Sequence, residues 1–351
     1  MCDEIRLKTI PREAEYFFKK NIVLYGANNS GKTTLLYDIM KILRPHIPNI
    51  VVFCPTTDSN ESLKGIVPDK LIFRKVELAK IKEVYDRQKE ATTAFNTAND
   101  VNVLQSLFRR VAGYKDIETE KKVINIKNDI IGNAKDNCEN IITRNKQCEK
   151  IEKESKKILT ALYKKVINNS REVLKKMVLS KQETHTLKFI NFNPNMLIVF
   201  DDCASIFTKK FQNDETIKDL FWMYRHSNIT IIFTFQDDTG LESCLRKNAS
   251  LSFFTTDQCA MAYFERSSNS FSKDMKRDVN EKIKIIFKEK QNLLPAFSKL
   301  LYIRGDPDPI RYYCAQVHEV FRFGSDALWD CCKLIEDNER SKNTLSTFGK
   351  Y

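Results

Sequence analysis

Residues 26–33 read GANNSGKT and fit the spacing GxxxxGK[ST]. Each residue type has a use in holding a polyphosphate. Gly26 and Gly31 permit the turns that aim the N–H groups of Ala27, Asn28, Asn29 and Ser30 at phosphate oxygens. Lys32 brings a point charge to the β- and γ-phosphates, and Thr33 offers a hydroxyl to Mg²⁺. Thr34 continues into a helical pattern, TTLLYDIMKIL, whose N-terminal dipole favours an anion. A second chemical stretch, MLIVFDDC, ends an apolar run on Asp201 and Asp202. Asp201 is expected to hold Mg²⁺, directly or through water. Asp202 stands where a glutamate often polarises the attacking water, and it is one methylene shorter. The pair could instead cap a following helix. A third stretch, NITIIFTFQ, ends on Gln236, which could sense the γ-phosphate, position water or simply cap its strand.

These residues need elements to carry them. Six short apolar runs read as buried strands, at 21–26, 49–55, 195–202, 228–236, 249–256 and 299–305. Helical patterns lie between them, for example at 33–44, 215–226 and 257–268. Strand–helix alternation predicts an α/β fold with a mostly parallel sheet and helices on both faces. The cradle then follows the first strand, and the acidic pair and Gln236 end two later ones.

The middle of the chain differs. From Asp69 to Asn193 there is no proline, and only Gly113 and Gly132. Cys148, Ile151, Ser155, Ile158 and Leu162 step by threes and fours, as one face of a helix does. Residues 81–190 hold 23 basic and 15 acidic side chains, so much of the net charge of +12 lies there. The expected organisation is a discontinuous core at 1–80 and 190–335, a basic helical insertion at 81–189 and a polar tail at 336–351. A long coiled-coil hairpin fits the insertion. The basic balance favours polyanionic partners, although a solvated helical bundle would carry the same charges. Ten scattered cysteines without a CxxC pair, and four distant histidines, give no zinc pattern and suit reduced thiols. No run of about 18 uncharged apolar residues predicts a membrane span. With no signal-peptide pattern at the start, the expected location is intracellular.

The order of GANNSGKT, the DD-ended strand, Arg225–His226 and the Gln236 strand resembles the FtsK–HerA superfamily of DNA-pumping ATPases. Within it the chain is similar to the genome-packaging ATPases of poxviruses and other large eukaryotic DNA viruses. VVFCPTTDSNESLKGIVP looks like that family's second strand and loop, LRKNASLSFF like its Arg-x-Asn strand, and RYYCA like its late tyrosine-rich strand. The resemblance covers roughly 1–80 and 190–315 and omits the basic middle. It implies a RecA-like P-loop fold, ATP and Mg²⁺ as cofactors, and a homo-oligomeric ring, a hexamer in the family. It also implies double-stranded DNA gripped through phosphates, capsid or portal-vertex proteins as partners, and a virus factory or virion as location. Arg225 and Arg246 match family motifs as candidates for the arginine a neighbour supplies in trans. FERSSNSFSKDMKRD could be a pore loop or an ordinary surface loop. Asn28 and Asn29 depart from the small residues usual in this family, and that spelling is common in ABC, RecF and SMC ATPases. An inserted coiled-coil arm would suit that class too, but no Ser-Gly-Gly signature segment is present. A nucleotide-binding scaffold without motor activity is a further alternative.

Overall fold

The computed structural model describes residues 7–56, 63–137, 140–289 and 298–348. The chain divides into two compact units: residues 1–89 with 194–351, and residues 90–193.

The first unit is built on an eight-stranded sheet of order β3-β2-β4-β5-β1-β6-β7-β8. Its strands are β1 (Asn21–Tyr25), β2 (Asn49–Phe53), β3 (Ile72–Phe73), β4 (Met196–Phe200), β5 (Ile229–Phe235), β6 (Leu251–Phe254), β7 (Ser298–Ile303) and β8 (Ile310–Cys314). β1 to β6 are parallel, and β7 and β8 run antiparallel at one edge. The helices of the chain are α1 (Lys32–Leu43), α2 (Leu78–Ala98), α3 (Val101–Val111), α4 (Tyr114–Asn137), α5 (Ile141–Asn169), α6 (Arg171–Leu174) and α7 (Lys181–Phe189). After β4 follow α8 (Lys209–Gln212), α9 (Glu215–Met223), α10 (Ser243–Arg246), α11 (Asp257–Glu265), α12 (Lys273–Lys284) and α13 (Asp326–Phe348).

The strands are mostly apolar because both faces are covered. Ile22, Leu24, Val52, Leu197 and Val199 meet Leu35, Leu36 and Ile39 of α1 on one face. Val23, Tyr25, Phe53, Phe200 and Phe233 meet Leu220 and Phe221 of α9 and residues of α11 and α12 on the other. Successive residues thus alternate between two cores, as the pleat requires. A ladder of stacked rings, Phe53–Phe200–Phe233–Phe221, runs across the second face with centroids 4.6–5.0 Å apart. α1 is tied back to the antiparallel edge by its fully buried Asp38, which accepts from Tyr313 Oη at 2.5 Å and His318 Nε2 at 2.6 Å and pairs with Arg12.

The second unit is helical. Leu104, Leu107 and Phe108 of α3 pack with Tyr163, Val166 and Ile167 of α5 and with Leu187 of α7. α4 and α5 pack along one another as a hairpin. Glu120 of α4 is fully buried and accepts from Tyr163 Oη at 2.7 Å while pairing with Arg109 at 2.5 Å.

Four expectations change in detail. The first unit extends to Lys89 rather than ending at 80, because the first half of α2 belongs to the sheet's core. Val84 and Tyr85 pack there, and Gln88 donates to the carbonyls of Pro194 and Ser227 at 2.6 and 2.8 Å. The segment expected as a polar tail from 336 is helical as far as Phe348, within α13. FERSSNSFSKDMKRD is not one loop: it closes α11, makes a short 3₁₀ turn at Ser267–Asn269 and opens α12 behind the N-cap Ser272. The two-residue β3 was not anticipated. Residues 57–62, within the stretch expected as the loop after the second strand, and residues 349–351 lie outside the described residues.

Candidate active site

Parallel register brings the C-terminal tips of β1, β2, β4, β5 and β6 to one edge, where ligands of open α/β sheets bind. Tyr25 pairs with Phe235 and Phe254, and Phe200 pairs with Phe53 and Phe233. The residues that follow these positions are Gly26, Gln236, Thr255, Cys54, Asp201 and Thr234, so their sequence distance disappears at the edge.

The cradle leaves β1 at Gly26, whose N–H still bonds Phe235 O at 3.1 Å. A Cβ at Gly26 would lie 1.6 Å from Thr255 Oγ1 and 2.6 Å from Ser30 Oγ, so only glycine fits. Gly31 (φ 87°) is the left-handed N-cap of α1 and provides no side-chain cap. The first-turn N–H groups of α1 are therefore left for an anion, as a helix N-terminus requires. Asn29 is also left-handed (φ 59°). Asparagine tolerates that region better than other non-glycine residues, which accounts for the unusual spelling of the loop. Ala27, Asn28 and Asn29 form the exposed crown, and Thr33 is exposed on the first turn of α1, followed by Thr34. The Lys32 ammonium folds over the loop and donates to Gly26 O at 2.6 Å and Ala27 O at 2.8 Å. Burial pushes its pKa down, opposed by the charges of Asp201 and Asp202.

Behind the crown, Ser30 is pinned from two neighbouring strands. Its hydroxyl bonds the Thr255 hydroxyl, and its carbonyl accepts from Lys299 Nζ at 2.8 Å. Lys299 lies on β7 and is only 7% exposed, and burial lowers its pKa.

At the tip of β4, Asp201 N–H bonds Phe53 O at 2.9 Å, extending the ladder. Its carboxylate accepts from Thr234 Oγ1 at 2.6 Å and, more weakly, from Cys54 Sγ at 3.8 Å. Burial raises the Asp201 pKa, which the Thr234 hydrogen bond and Lys32 partly offset. Asp202 turns left-handed (φ 52°), and its N–H donates to the same Thr234 hydroxyl at 3.0 Å. One threonine on β5 thus orients both acids. Asp202 and Gln236 face a common cleft of about 460 Å³, lined also by Pro55, Thr56, Ala204 and Phe207.

The loop after Gln236 is tied to its own chain by several hydrogen bonds. Arg246, one of the two candidates for the trans-acting arginine, is buried and committed within its own chain. It donates to Asn269 Oδ1 (3.1 Å), to the carbonyls of Asp238 (2.7 Å) and Leu241 (2.6 Å), and to Ser268 Oγ (2.9 Å). Asp238 is also buried and forms a two-point pair with Arg266. Arg246 is therefore a staple of the Gln236 loop. Arg225 is different: it is exposed, precedes β5, and lies over the Tyr224 ring at 5.6 Å. A seven-residue strand of about 23 Å separates it from the cradle edge of its own chain.

Gly26–Thr34 fit a nucleotide polyphosphate through the positive-φ turn, the uncapped helix start and Lys32. Thr33 and Asp201 are hard oxygen donors suited to Mg²⁺, which would complete its shell with phosphate oxygens and water. Among the described residues no cluster of three His, Cys, Asp or Glu side chains could hold a metal by itself. The sequence pattern missed Thr234, Thr255 and Lys299. Each is a polar residue at or near the end of a mostly apolar strand, and that was the available signal.

A phosphate cradle after the first strand and an acidic pair at the tip of a parallel neighbour define a P-loop NTPase. A family model described as Zonular occludens toxin (Zot) matches residues 116–293, half of the chain. Protein B354L of African swine fever virus (isolate Tick/Malawi/Lil 20-1/1983) is 34% identical, covering 95% of this chain and 93% of its own. The same values hold for B354L of the Badajoz 1971 Vero-adapted strain. The chain belongs to the Zot family of FtsK–HerA-like P-loop ATPases and has large-DNA-virus relatives. Among solved structures it is similar to the genome packaging NTPase B204 of Sulfolobus turreted icosahedral virus 2 in complex with ATP-gammaS. That match has a TM-score of 0.35 and 13% identity, covering 89% of this chain and all of B204. Among the described residues no helix is long and apolar enough to cross a membrane.

Proposed function

We propose that this ATPase is a motor that moves double-stranded DNA, and that its cargo is a viral genome entering a capsid. The observation that carries the reading is the assembly at one sheet edge of Lys32, Asp201, Asp202 and Gln236, in a chain of the FtsK–HerA type with viral relatives. In this reading Gly26–Thr34 and Lys32 hold the ATP phosphates, and Thr33 and Asp201 would hold Mg²⁺, which would supply charge neutralisation for phosphoryl transfer. Asp202 and Gln236, facing one cleft, orient the attacking water. Arg225 supports a ring: it is exposed at the sheet edge opposite its own cradle, so it could serve only a neighbour's site. A homo-oligomeric ring, a hexamer by family resemblance, would set each Arg225 against the next subunit's phosphates. Capsid or portal-vertex proteins would be further partners, and a virus factory or the virion the location.

A second reading, an ABC/SMC/RecF-type ATPase with a coiled-coil arm, draws on the α4–α5 hairpin inserted in the sequence between the cradle and Asp201. It predicts head-to-head dimers, and membership of the FtsK–HerA type weighs against it. The test is ATP turnover with and without long double-stranded DNA, for the wild type and Lys32→Ala. DNA-stimulated turnover that the variant abolishes is the expected result. Turnover indifferent to DNA in an assembled ring would overturn the motor, and absence of turnover would leave a nucleotide-binding scaffold.

A further inference from the structure

Four lysines of α5, Lys146, Lys150, Lys153 and Lys157, step by four, three and four residues. That spacing sets them in one row along the helix, within about 16 Å. All four are exposed. The opposite side of α5 is the packed one: Cys148, Ile151, Leu159 and Leu162 are half-buried there and Ser155 is buried. Glu149, Glu152 and Glu154 fall to either side of the row. Among the described residues none of the four ammonium groups makes an ion pair or hydrogen bond. Lysine pairs elsewhere on the exposed helices do find acids, as Lys122 does with Glu118 and Lys175 with Glu172.

Like charges three or four residues apart on a helix repel by about 0.2–0.5 kcal/mol per pair. The row has three such neighbouring pairs. Glu149 and Glu154 flank it at three- and four-residue spacings without an ion pair to its lysines among the described residues, and a polyanion laid along the helix would offset the remaining repulsion. A DNA strand presents a phosphate about every 3.4 Å of duplex axis, so each flexible ammonium arm can reach its own. Four evenly spaced ammonium groups match the regular spacing of phosphates, which carry no sequence information.

We propose that the Lys146–Lys150–Lys153–Lys157 face of α5 is a docking surface for the phosphate backbone of double-stranded DNA, independent of sequence. The proposal rests on the DNA-motor reading and assigns the grip to named side chains of the helical unit.

The test measures affinity of the full chain for long duplex DNA across a salt series. It compares wild type, the fourfold Lys→Gln variant and the fourfold Lys→Arg variant, with helix content checked by circular dichroism. Each lost phosphate contact lowers the slope of log affinity against log salt by about 0.9. The Gln variant should therefore lose up to about 3.6 in slope, and the Arg variant should keep the wild-type slope. Should the fourfold Gln variant fail to fold, Lys146→Gln/Lys150→Gln and Lys153→Gln/Lys157→Gln should each lose up to about 1.8. A steep wild-type slope left unchanged in folded Gln variants would overturn the assignment while leaving DNA binding intact. Absence of wild-type DNA binding at every salt concentration would overturn the motor reading, and this one with it.

Discussion

Replacing Thr234 by valine tests whether one hydroxyl aligns the acidic pair. Valine keeps the branched shape and removes only the oxygen. Two contacts go with it: the 2.6 Å donation to Asp201 Oδ1 and the 3.0 Å acceptance from Asp202 N–H. A hydrogen bond to a charged group contributes about 1.5–3 kcal/mol. At about 1.4 kcal/mol per tenfold, that corresponds to a loss of roughly 10- to 100-fold in Mg²⁺-dependent kcat/KM if Asp201 and Asp202 act as proposed. The direction with pH also follows. Burial lifts the Asp201 pKa and the Thr234 hydrogen bond pulls it down, so the valine variant lifts it further. A proton then competes with Mg²⁺ at higher pH, and the acid limb of the pH–rate profile should move upward. Stability shows the same sign. A carboxyl whose pKa is raised on folding binds more protons folded than unfolded. Its contribution therefore falls as pH rises from the unfolded towards the folded pKa, and the variant should recover stability on acidification. ATPase assays over Mg²⁺ and pH, with Thr234→Ser as the hydroxyl-retaining control, give the readout. A valine variant with wild-type turnover and an unmoved acid limb would refute the reasoning.

Four further outcomes are expected. Gly26→Ala should lose nucleotide binding and about 1–3 kcal/mol of stability by overpacking against Thr255; isothermal titration and a thermal melt check it, with unchanged values counting against the close fit. Arg225→Ala should abolish turnover in the assembled protein while leaving Tm nearly unchanged, whereas Arg246→Met should lower Tm by breaking four hydrogen bonds; equal Tm losses would deny the distinction. Lys299→Met should raise KM for ATP several-fold by freeing Ser30, with Lys299→Arg restoring part of it, and an unaltered KM would make Lys299 a bystander. Joining Lys89 to Pro194 through a short Gly/Ser linker should leave a soluble core that still binds nucleotide; an unfolded product would show residues 90–193 to be integral.

Much of this protein was legible in order along the chain. The cradle could be read because its chemistry is local: glycine turns, a lysine and a hydroxyl must be adjacent to wrap one phosphate group. The strands at Asn21–Tyr25, Met196–Phe200 and Ile229–Phe235 could be read because burial on both faces favours predominantly apolar runs. The helical character of the middle followed from residues stepping by threes and fours. Tertiary structure decided what periodicity does not encode. Register placed Thr234 against Asp201 and Asp202, and the antiparallel return of β7 placed Lys299 behind Ser30, across 269 residues of sequence. Burial separated two arginines that look alike as letters: Arg246 spends its donors on its own loop, while Arg225 stays exposed. It also moved the core boundary into α2, where Gln88 caps carbonyls more than a hundred residues away. Local propensity sets which segments become strands and helices. Which side chain meets which acid depends on strand order and desolvation, which no short window of sequence contains.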